Sequence, residues 1–374
     1  MLLRKHFQRV VLSIRNSIAA MAAVCFLVAC GGGSGVQSDS ERGPITPPPA
    51  PPPSSGPAPL TQLLTRGSAN PILRNGPESF DFIKAGPRSI VKVAAGDYRM
   101  WYEAIANSAN DTQIAYATSS NGSNWVKRGI VLSYSQSWEK NEVAPTAVLF
   151  DADAGLWKLW YHGGGNGAPR YIGYATSTDG LAWTKYSGNP VLSPGVAGAW
   201  DDGYVADVKV LRLGASDYRM WYKGVNATSG RAQVGYALSS DGVRWSKYSG
   251  NPVFVPGNPG QWDDGSINGV TVVHDRGLFH LWYPALRSGG AATRAGDGLG
   301  YASSADGVSW FRSQSNPVLA PAANGAAPDV ELGDTLEAYW DSGRYRVTYG
   351  SFNFAASPVL RGISEASIID SSRP

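Results

Sequence analysis

The stretch that decides the fold reads Tyr218-Arg-Met-Trp-Tyr222, then Val234-Gly-Tyr-Ala-Leu-Ser-Ser-Asp-Gly-Val-Arg-Trp245, then Asn251-Pro-Val-Phe254. It is one copy of a phrase written five times between Asn70 and the C-terminus. A period of about 60 residues built from strand-like units predicts a ring of small sheets around a central cavity. The expected fold is all-β: a five-bladed β-propeller with four antiparallel strands per blade.

The other copies of the second strand are Tyr98-Arg-Met-Trp-Tyr102, Trp157-Lys-Leu-Trp-Tyr161, Phe279-His-Leu-Trp-Tyr283 and Tyr345-Arg-Val-Thr-Tyr349. Alternate residues of a strand face opposite sides, and here both sides are bulky. That suits sheets packed between two neighbours. The third strands end at Asn121-Gly122, Asp179-Gly180, Asp241-Gly242 and Asp306-Gly307. These pairs supply the positive φ angles of a two-residue hairpin. Trp125, Trp183, Trp245 and Trp310 follow at constant spacing. A turn with a packed Trp is structural, so these acids are not catalytic candidates. The fifth repeat lacks a fourth strand. Thr65-Arg-Gly-Ser-Ala-Asn-Pro-Ile-Leu73 resembles Lys185-Tyr-Ser-Gly-Asn-Pro-Val-Leu192. Residues 60–66 are therefore expected to pair as the outer strand of the last blade, closing the ring and covering its open edge.

The propeller is expected over residues 60–374. Before it stand Arg4, Lys5, Arg9 and Arg15, an apolar run at 17–28, and Leu27-Val-Ala-Cys30. This reads as a bacterial lipoprotein signal over residues 1–29, with lipid on Cys30. Residues 30–59 read as the lipidated Cys and a Gly/Pro-rich linker. The expected address is the cell envelope, lipid-anchored at the outer membrane, with the lipid as the sole membrane contact. Cys25 leaves with the signal and Cys30 carries lipid, so no thiol remains for catalysis. The chain's net charge is +3, and residues 1–29 hold four basic residues and no acid, leaving −1 for the rest. Nucleic-acid binding is not expected of such a chain. The histidines beyond the signal are His162, His274 and His280, without metal-ligand spacing. No metal and no cofactor are expected, and a monomer is.

In a propeller the first strand of each blade lines the channel. Those segments are 85–93, 143–150, 205–212, 267–274 and 333–340, and their polar residues differ while the frame stays constant. That is how a site is grafted onto a symmetric scaffold. The candidates are Glu142, Asp207 and Asp334 as catalytic carboxyls, with Arg88, Lys209, Asn268 and Glu331 as substrate contacts. Strand alternation would point Asp207 and Lys209 the same way. His162 follows a Trp-Tyr strand and precedes Gly163-Gly-Gly165, within reach of the cavity mouth. Trp138-Glu139, Trp200-Asp201 and Trp262-Asp263 recur before the first strands, with Phe80-Asp81 as their first-blade counterpart. Repetition favours blade packing for this set, though a rim Trp also suits a sugar face; Asp81 is kept as a substrate contact. Neutralising a channel acid is expected to leave folding near that of the parent.

The Asn-Pro-Val-Leu, Tyr-Arg-Met-Trp-Tyr and Gly-Tyr-Ala-Thr-Ser…Asp-Gly…Trp pattern resembles the five-bladed propeller glycoside hydrolases over residues 60–370. That superfamily includes arabinanases, invertase-like and levansucrase-like fructosidases, and β-mannoside phosphorylases. The resemblance implies inner-strand acids: an Asp base or nucleophile, a Glu acid and a tuning Asp. It implies Glu142 as proton donor, Asp207 or Asp334 as base or nucleophile, and Arg88 and Lys209 at the substrate. The chain departs from the family pattern, with no Arg-Asp-Pro and no Asn-Asp-Pro-Asn-Gly. Glu142 stands three residues before Pro145, where the family spacing is two, and Gly86-Pro87 replaces the first-blade Asp-Pro. The implied function is hydrolysis of an oligo- or polysaccharide. The alternative, which the departures favour, is a non-catalytic glycan-binding propeller. A weaker third reading is a propeller that docks another protein.

Overall fold

The computed structural model describes residues 60–106, 111–165, 167–289, 297–322, 331–353 and 360–370. Among them there is no α-helix, and the strands group into successive antiparallel meanders. The first runs Lys84–Ala94, Asp97–Ile105, Thr112–Ser119 and Val126–Leu132. The second runs Glu142–Asp151, Leu156–Gly165, Ala168–Ser177 and Thr184–Lys185, joined to the first by the pairing of Thr112 with Glu142. The third is Tyr204–Gly214, Asp217–Val225, Ala232–Ser239 and Ser246–Lys247. The fourth splits its first strand into Ser266–Ile267 and Thr271–Asp275, then continues through Leu278–Leu286, Gly298–Ser304 and Phe311–Arg312. The fifth has Glu331–Asp341, Arg344–Asn353 and Leu360–Ile369. Its fourth position is taken from the other end of the chain: Thr65 and Arg66 pair with Ser367 and Ala366.

The first strands neighbour one another in cyclic order, the fifth meander's touching the first's. Side chains tie some of them together. Ser89 Oγ accepts the amide of Val148 at 3.0 Å, and Thr271 Oγ1 accepts that of Ala338 at 3.2 Å.

The repeated residues each have a repeated job. Trp101, Trp160, Trp221 and Trp282 are almost wholly buried. Each takes on the order of 200 Å² out of water, worth roughly 5 kcal/mol by area as an upper figure. Three of them also reach the next meander's turn: Trp101, Trp160 and Trp221 Nε1 donate to the carbonyls of Gly180, Gly242 and Gly307 at 2.9, 2.8 and 2.7 Å. The turn needs glycine twice over. Gly307 has φ +81, and a Cβ there would lie 2.8 Å from Trp221. The turn differs from the expected two-residue hairpin. Leu238 pairs with Ser246, so the loop runs from Ser239 to Trp245. Within it Asp241 Oδ1 accepts the amides of Val243 and Arg244 at 2.8 and 2.7 Å. The side chain organises a longer loop that backbone pairing alone would leave open.

The Asn of each Asn-Pro is a bridge. Asn189 Oδ1 accepts the Tyr174 amide at 2.8 Å, and its Nδ2 donates to the Tyr174 carbonyl at 3.0 Å and the Tyr161 hydroxyl at 3.1 Å. Asn251 and Asn316 repeat this on Tyr236 and Tyr301.

Candidate functional site: a charged cavity over the first three repeats

Every continuous first strand breaks register at the same depth. The irregularities fall between Pro87 and Ser89, Pro145 and Ala147, Ala206 and Lys209, and Leu332 and Leu336. A bulge re-aims the side chain it displaces. In the first strand it displaces Arg88, and in the third it displaces Asp207, whose φ of +49 is left-handed. A non-glycine residue held there is strained by roughly 1 kcal/mol or more. The bulge also breaks the alternation expected to aim Asp207 and Lys209 together. Lys209 instead pairs with buried Glu337 and does not line the cavity that Asp207 enters.

Arg88 and Asp207 meet in a buried ion pair across the channel, from the first meander to the third. Around them opens a cavity of about 450 Å³. Its carboxylates are Glu103, Glu142 and Asp207; its permanent cations are Lys84, Arg88, Arg170 and Lys223; His162 stands between. Arg88 Nη2 donates to Glu103 Oε2 at 2.6 Å, and Lys84 Nζ lies 2.9 Å from Glu103 Oε1. Lys223 Nζ lies 2.6 Å from Asp207 Oδ2 and donates to the Asn268 carbonyl at 3.1 Å. Arg170 Nε donates to Glu142 Oε2 at 2.7 Å. Tyr204 lies under two cations, Arg170 at 5.4 Å and Lys223 at 5.8 Å from its ring centre.

The His162 ring separates the two acids, with Nε2 3.4 Å from Glu142 Oε1 and Nδ1 3.4 Å from Asp207 Oδ1. His162 is 3% exposed, and its Nδ1 makes no aligned hydrogen bond despite that approach. One imidazole therefore stands in the space between the two carboxylates.

Burial alone would raise the Glu142 carboxyl. The hydrogen bond and charge of His162 and the Arg170 guanidinium outweigh it and hold the group at about 2. Burial also opposes ionisation of Asp207, but Arg88, Lys223 and His162 overcome it and hold that carboxyl far below the usual range. Both are anions at neutral pH. The proton-donor role expected of Glu142 does not suit such a group, because a general acid must hold its proton at the working pH. An ionised Glu142 suits a base or a nucleophile. Glu337, by contrast, is pushed up by burial despite its Lys209 partner, but it stands outside the cavity lining.

Of the sequence candidates, Glu142, Asp207, Arg88 and His162 come together in this cavity. Asn268 contributes a carbonyl that fixes Lys223 and does not itself line the cavity. Asp334 and Glu331 lie on the fifth meander's first strand, and their side chains fall outside the described residues, as does Cys30. Asp81 is corrected as a substrate contact: it is wholly buried, accepts the Tyr102 hydroxyl at 3.1 Å and meets Lys127 at 2.7 Å. Glu139, Asp201 and Asp263 do the same with Tyr161 and Lys185, Tyr222 and Lys247, and Tyr283 and Arg312. The preceding Trp packs on that Tyr, as Trp138 does on Tyr161 at 5.8 Å and 24°. A clamp made four times is architecture.

Sequence reasoning missed Glu103, Lys223, Lys84, Arg170 and Tyr204. A signal existed for two of them. Glu103, His162 and Lys223 each follow the last Tyr of a second strand, where the remaining repeats carry Pro284 and Gly350. That position varies within a constant frame, as the channel strands do.

No family model matches the chain. It is 26% identical over 165 residues to an A type blood N-acetyl-alpha-D-galactosamine deacetylase of Flavonifractor plautii, a match covering 39% of this chain and 20% of that protein. It is 30% identical over 126 residues to an uncharacterized protein of Mycobacterium tuberculosis, covering 32% of this chain and 40% of that protein. The chain thus spans less than half of the curated relatives it matches. Among solved structures, an RGII complex superimposes with a TM-score of 0.66 at 19% identity, covering 84% of this chain and 94% of that protein. A glycoside hydrolase does so with a TM-score of 0.65 at 20% identity, covering 84% and 93%. A structure from the GH130 family of mannoside phosphorylases, which contains glycoside hydrolases targeting beta-1,2 mannosidic linkages in Candida mannan, gives 0.62 at 16% identity, covering 84% and 96%. The chain therefore shares its all-β fold with these solved structures, glycoside hydrolases among them.

Proposed function

We propose that the chain is a five-bladed β-propeller, closed by its N-terminal strand, that acts on a glycan bound in the charged cavity. The reading as a glycoside hydrolase-like protein rests on one observation above the others: Glu103, Glu142, Asp207 and His162, from three repeats, converge on one cavity. Glu142 is the reactive carboxylate, as base or nucleophile. Asp207 holds Arg88, Lys223 and His162 in place. Tyr204 offers a flat face to a sugar ring. Closure is supported by the cyclic contacts of the first strands and the pairing of Thr65 with Ser367. The test is a glycan panel scored separately for binding and for product, run on the parent and on Glu142→Gln. Product from the parent, lost in the variant with binding kept, supports hydrolysis; full turnover by the variant overturns the assignment.

A specific observation favours a second reading, in which the cavity binds a glycan without cleaving it. Both Glu142 and Asp207 have lost their protons at neutral pH, so neither offers an acid to the leaving group. Tight binding without product across the panel decides for this reading. We further propose that Cys30 carries the lipid that tethers the monomeric propeller, residues 60–374, to the envelope. The support is the lipobox-like Leu27-Val-Ala-Cys30.

A further inference from the structure

We propose that His162 is the positioning residue of this site: with a proton on each ring nitrogen it bridges Asp207 to Glu142, and loss of one proton frees Glu142 and weakens the protein's turnover or binding of its glycan. The inference rests on the glycan reading above and adds a proton-dependent control to it.

The ring comes from the second strand of the second repeat and stands between two first strands, that of its own repeat and that of the third. Nε2 lies 3.4 Å from Glu142 Oε1, and Nδ1 lies 3.4 Å from Asp207 Oδ1. Both gaps exceed the ~2.7–3.2 Å of a formed N–H···O bond, and Nδ1 makes no such bond. Attraction across gaps of this length comes from the ring's charge. A neutral imidazole carries one N–H and one lone pair, so it offers a donor to one acid and turns its lone pair to the other. The imidazolium alone offers a donor to each. At 3% exposure the ring has little water to replace a lost contact.

The other charges sit behind the two acids. Among the described residues Arg170 takes Glu142 Oε2, and the ring faces Oε1. Arg88 and Lys223 take Asp207 Oδ1 and Oδ2, and Glu103 accepts from Arg88 in turn. Asp207 therefore stays fixed whether or not the ring is charged, whereas Glu142 loses the contact that holds its inner oxygen. Against burial, the hydrogen bond and charge of His162 also help to hold the Glu142 carboxyl at about 2. An acid that orients an imidazole, which in turn orients the reactive group, is the general logic of an activated site. The neighbouring repeats place Glu103 and Lys223 at the same strand position. Of the three residue types, histidine is the one whose charge ordinarily changes near neutral pH.

The test combines two measurements on the full chain from about pH 5 to about pH 8. Nitrogen-15 NMR of the histidine rings, without glycan, reads the protonation of His162, assigned by the signals that His162→Gln removes. Product formation, or affinity where no product forms, is read for parent and variant over the same range with the best glycan of the panel. Glu142 and Asp207 are ionised throughout that range, so neither adds a step of its own. His162 should carry protons on both nitrogens at the acid end and lose one in a single step. The parent's response should fall about ten-fold or more along that step, as expected for a hydrogen bond to a charged group. His162→Gln should be about ten-fold weaker than the parent at the acid end and flat across the step, with melting read alongside. A ring that keeps both protons, or keeps one bare nitrogen, across the whole range overturns the control. Ring and response steps at separate pH values overturn it too, and the parent alone decides this where the variant fails to fold. The same pH step in parent and variant overturns the role of His162 and leaves the glycan reading standing. A chain that responds to no glycan overturns the glycan reading and the control built on it, while the ring signals still decide the bridge.

Discussion

Asp207→Asn removes one charge and almost no volume, from the most tightly packed charges in the cavity. The carboxylate is 6% exposed and touches Arg88, Lys223 and His162. Arg88 and Lys223 are themselves 7% and 8% exposed. Deleting one partner of a buried ion pair leaves the other charged and desolvated, which costs about 3–5 kcal/mol. Glu103 still holds Arg88, and the Asn268 carbonyl still holds Lys223, so the lower end of that range is expected. For a domain of this size it corresponds to a fall in melting temperature of roughly 5–10 °C. This reverses the expectation, drawn from sequence alone, that a channel acid can be neutralised with little effect on folding. Differential scanning calorimetry checks it, with denaturant unfolding as a second probe. The pH dependence supplies the sign. The folded-state carboxyl is held below its ordinary value, so its stabilisation is complete above the unfolded value of about 3.9 and shrinks as pH falls below it. The parent should lose stability more steeply than Asp207→Asn as pH falls from about 5. In a double-mutant cycle, Arg88→Met should cost less in the Asp207→Asn background than in the parent. Melting within about 2 °C of the parent together with parallel pH slopes would refute the buried-pair account.

Glu142→Gln should be milder in stability and still visible in acid: a carboxyl held at about 2 contributes on the order of 3 kcal/mol above pH 4.5, lost as pH falls towards 2, so the variant's melting should be flatter over that window. Asp241→Ala, which frees the amides of Val243 and Arg244 on an outer loop, should lower stability by about 1 kcal/mol and leave glycan binding unchanged; altered binding at unchanged stability would count against a structural role. Deleting residues 60–74 should uncover the Leu360–Ile369 strand and lower the melting temperature sharply, while deleting 31–55 should not; equal effects would argue against ring closure. Cys30→Ala should abolish incorporation of labelled lipid and release the protein from membranes, and unchanged membrane retention would remove the lipobox reading.

Much of the fold was legible because its parts repeat. Trp160, Asn251 and Asp241 do the same work in several copies, and a job done several times leaves a period in the sequence. The Asp-Gly loop was misjudged in length because dipeptide rules describe backbone pairing, whereas Asp241 closes this loop with its side chain. The site was half legible. Glu142, Asp207, Arg88 and His162 stand out by breaking the period. Lys209 was misplaced because a bulge shifts the face of every residue beyond it, and no residue type announces a bulge. Asp81 was misplaced because a buried acid and a channel acid look alike until the Tyr and Lys that clamp it are seen. Arg170 carried no signal: nothing in its strand position sets it apart, and only the fold brings it to Glu142.

The division between the repeated and the unrepeated residues also explains how so charged a cavity is held open. The described lining alone brings four permanent cations and three carboxylates into one buried space, and such charges would collapse onto each other or draw in water if their strands could move. The strands are fixed by bonds made elsewhere. The acid–Tyr–cation clamp anchors the loop before each of the first four first strands, and the Asn bridges and Trp-to-turn bonds fix the outer strands. None of these uses a residue that lines the cavity. The bulge brings Arg88 and Asp207 into the cavity from the first and third strands, and the position after the second strand's Tyr supplies further lining. In the first three repeats that position holds Glu103, His162 and Lys223; in the last two it holds Pro284 and Gly350, which carry no charge. The adjoining glycines keep this cavity clear. A Cβ on Gly165 would stand 3.2 Å from Glu142 Oε2 and 2.9 Å from Asn141 Oδ1, crowding the carboxylate that the other contacts hold in place.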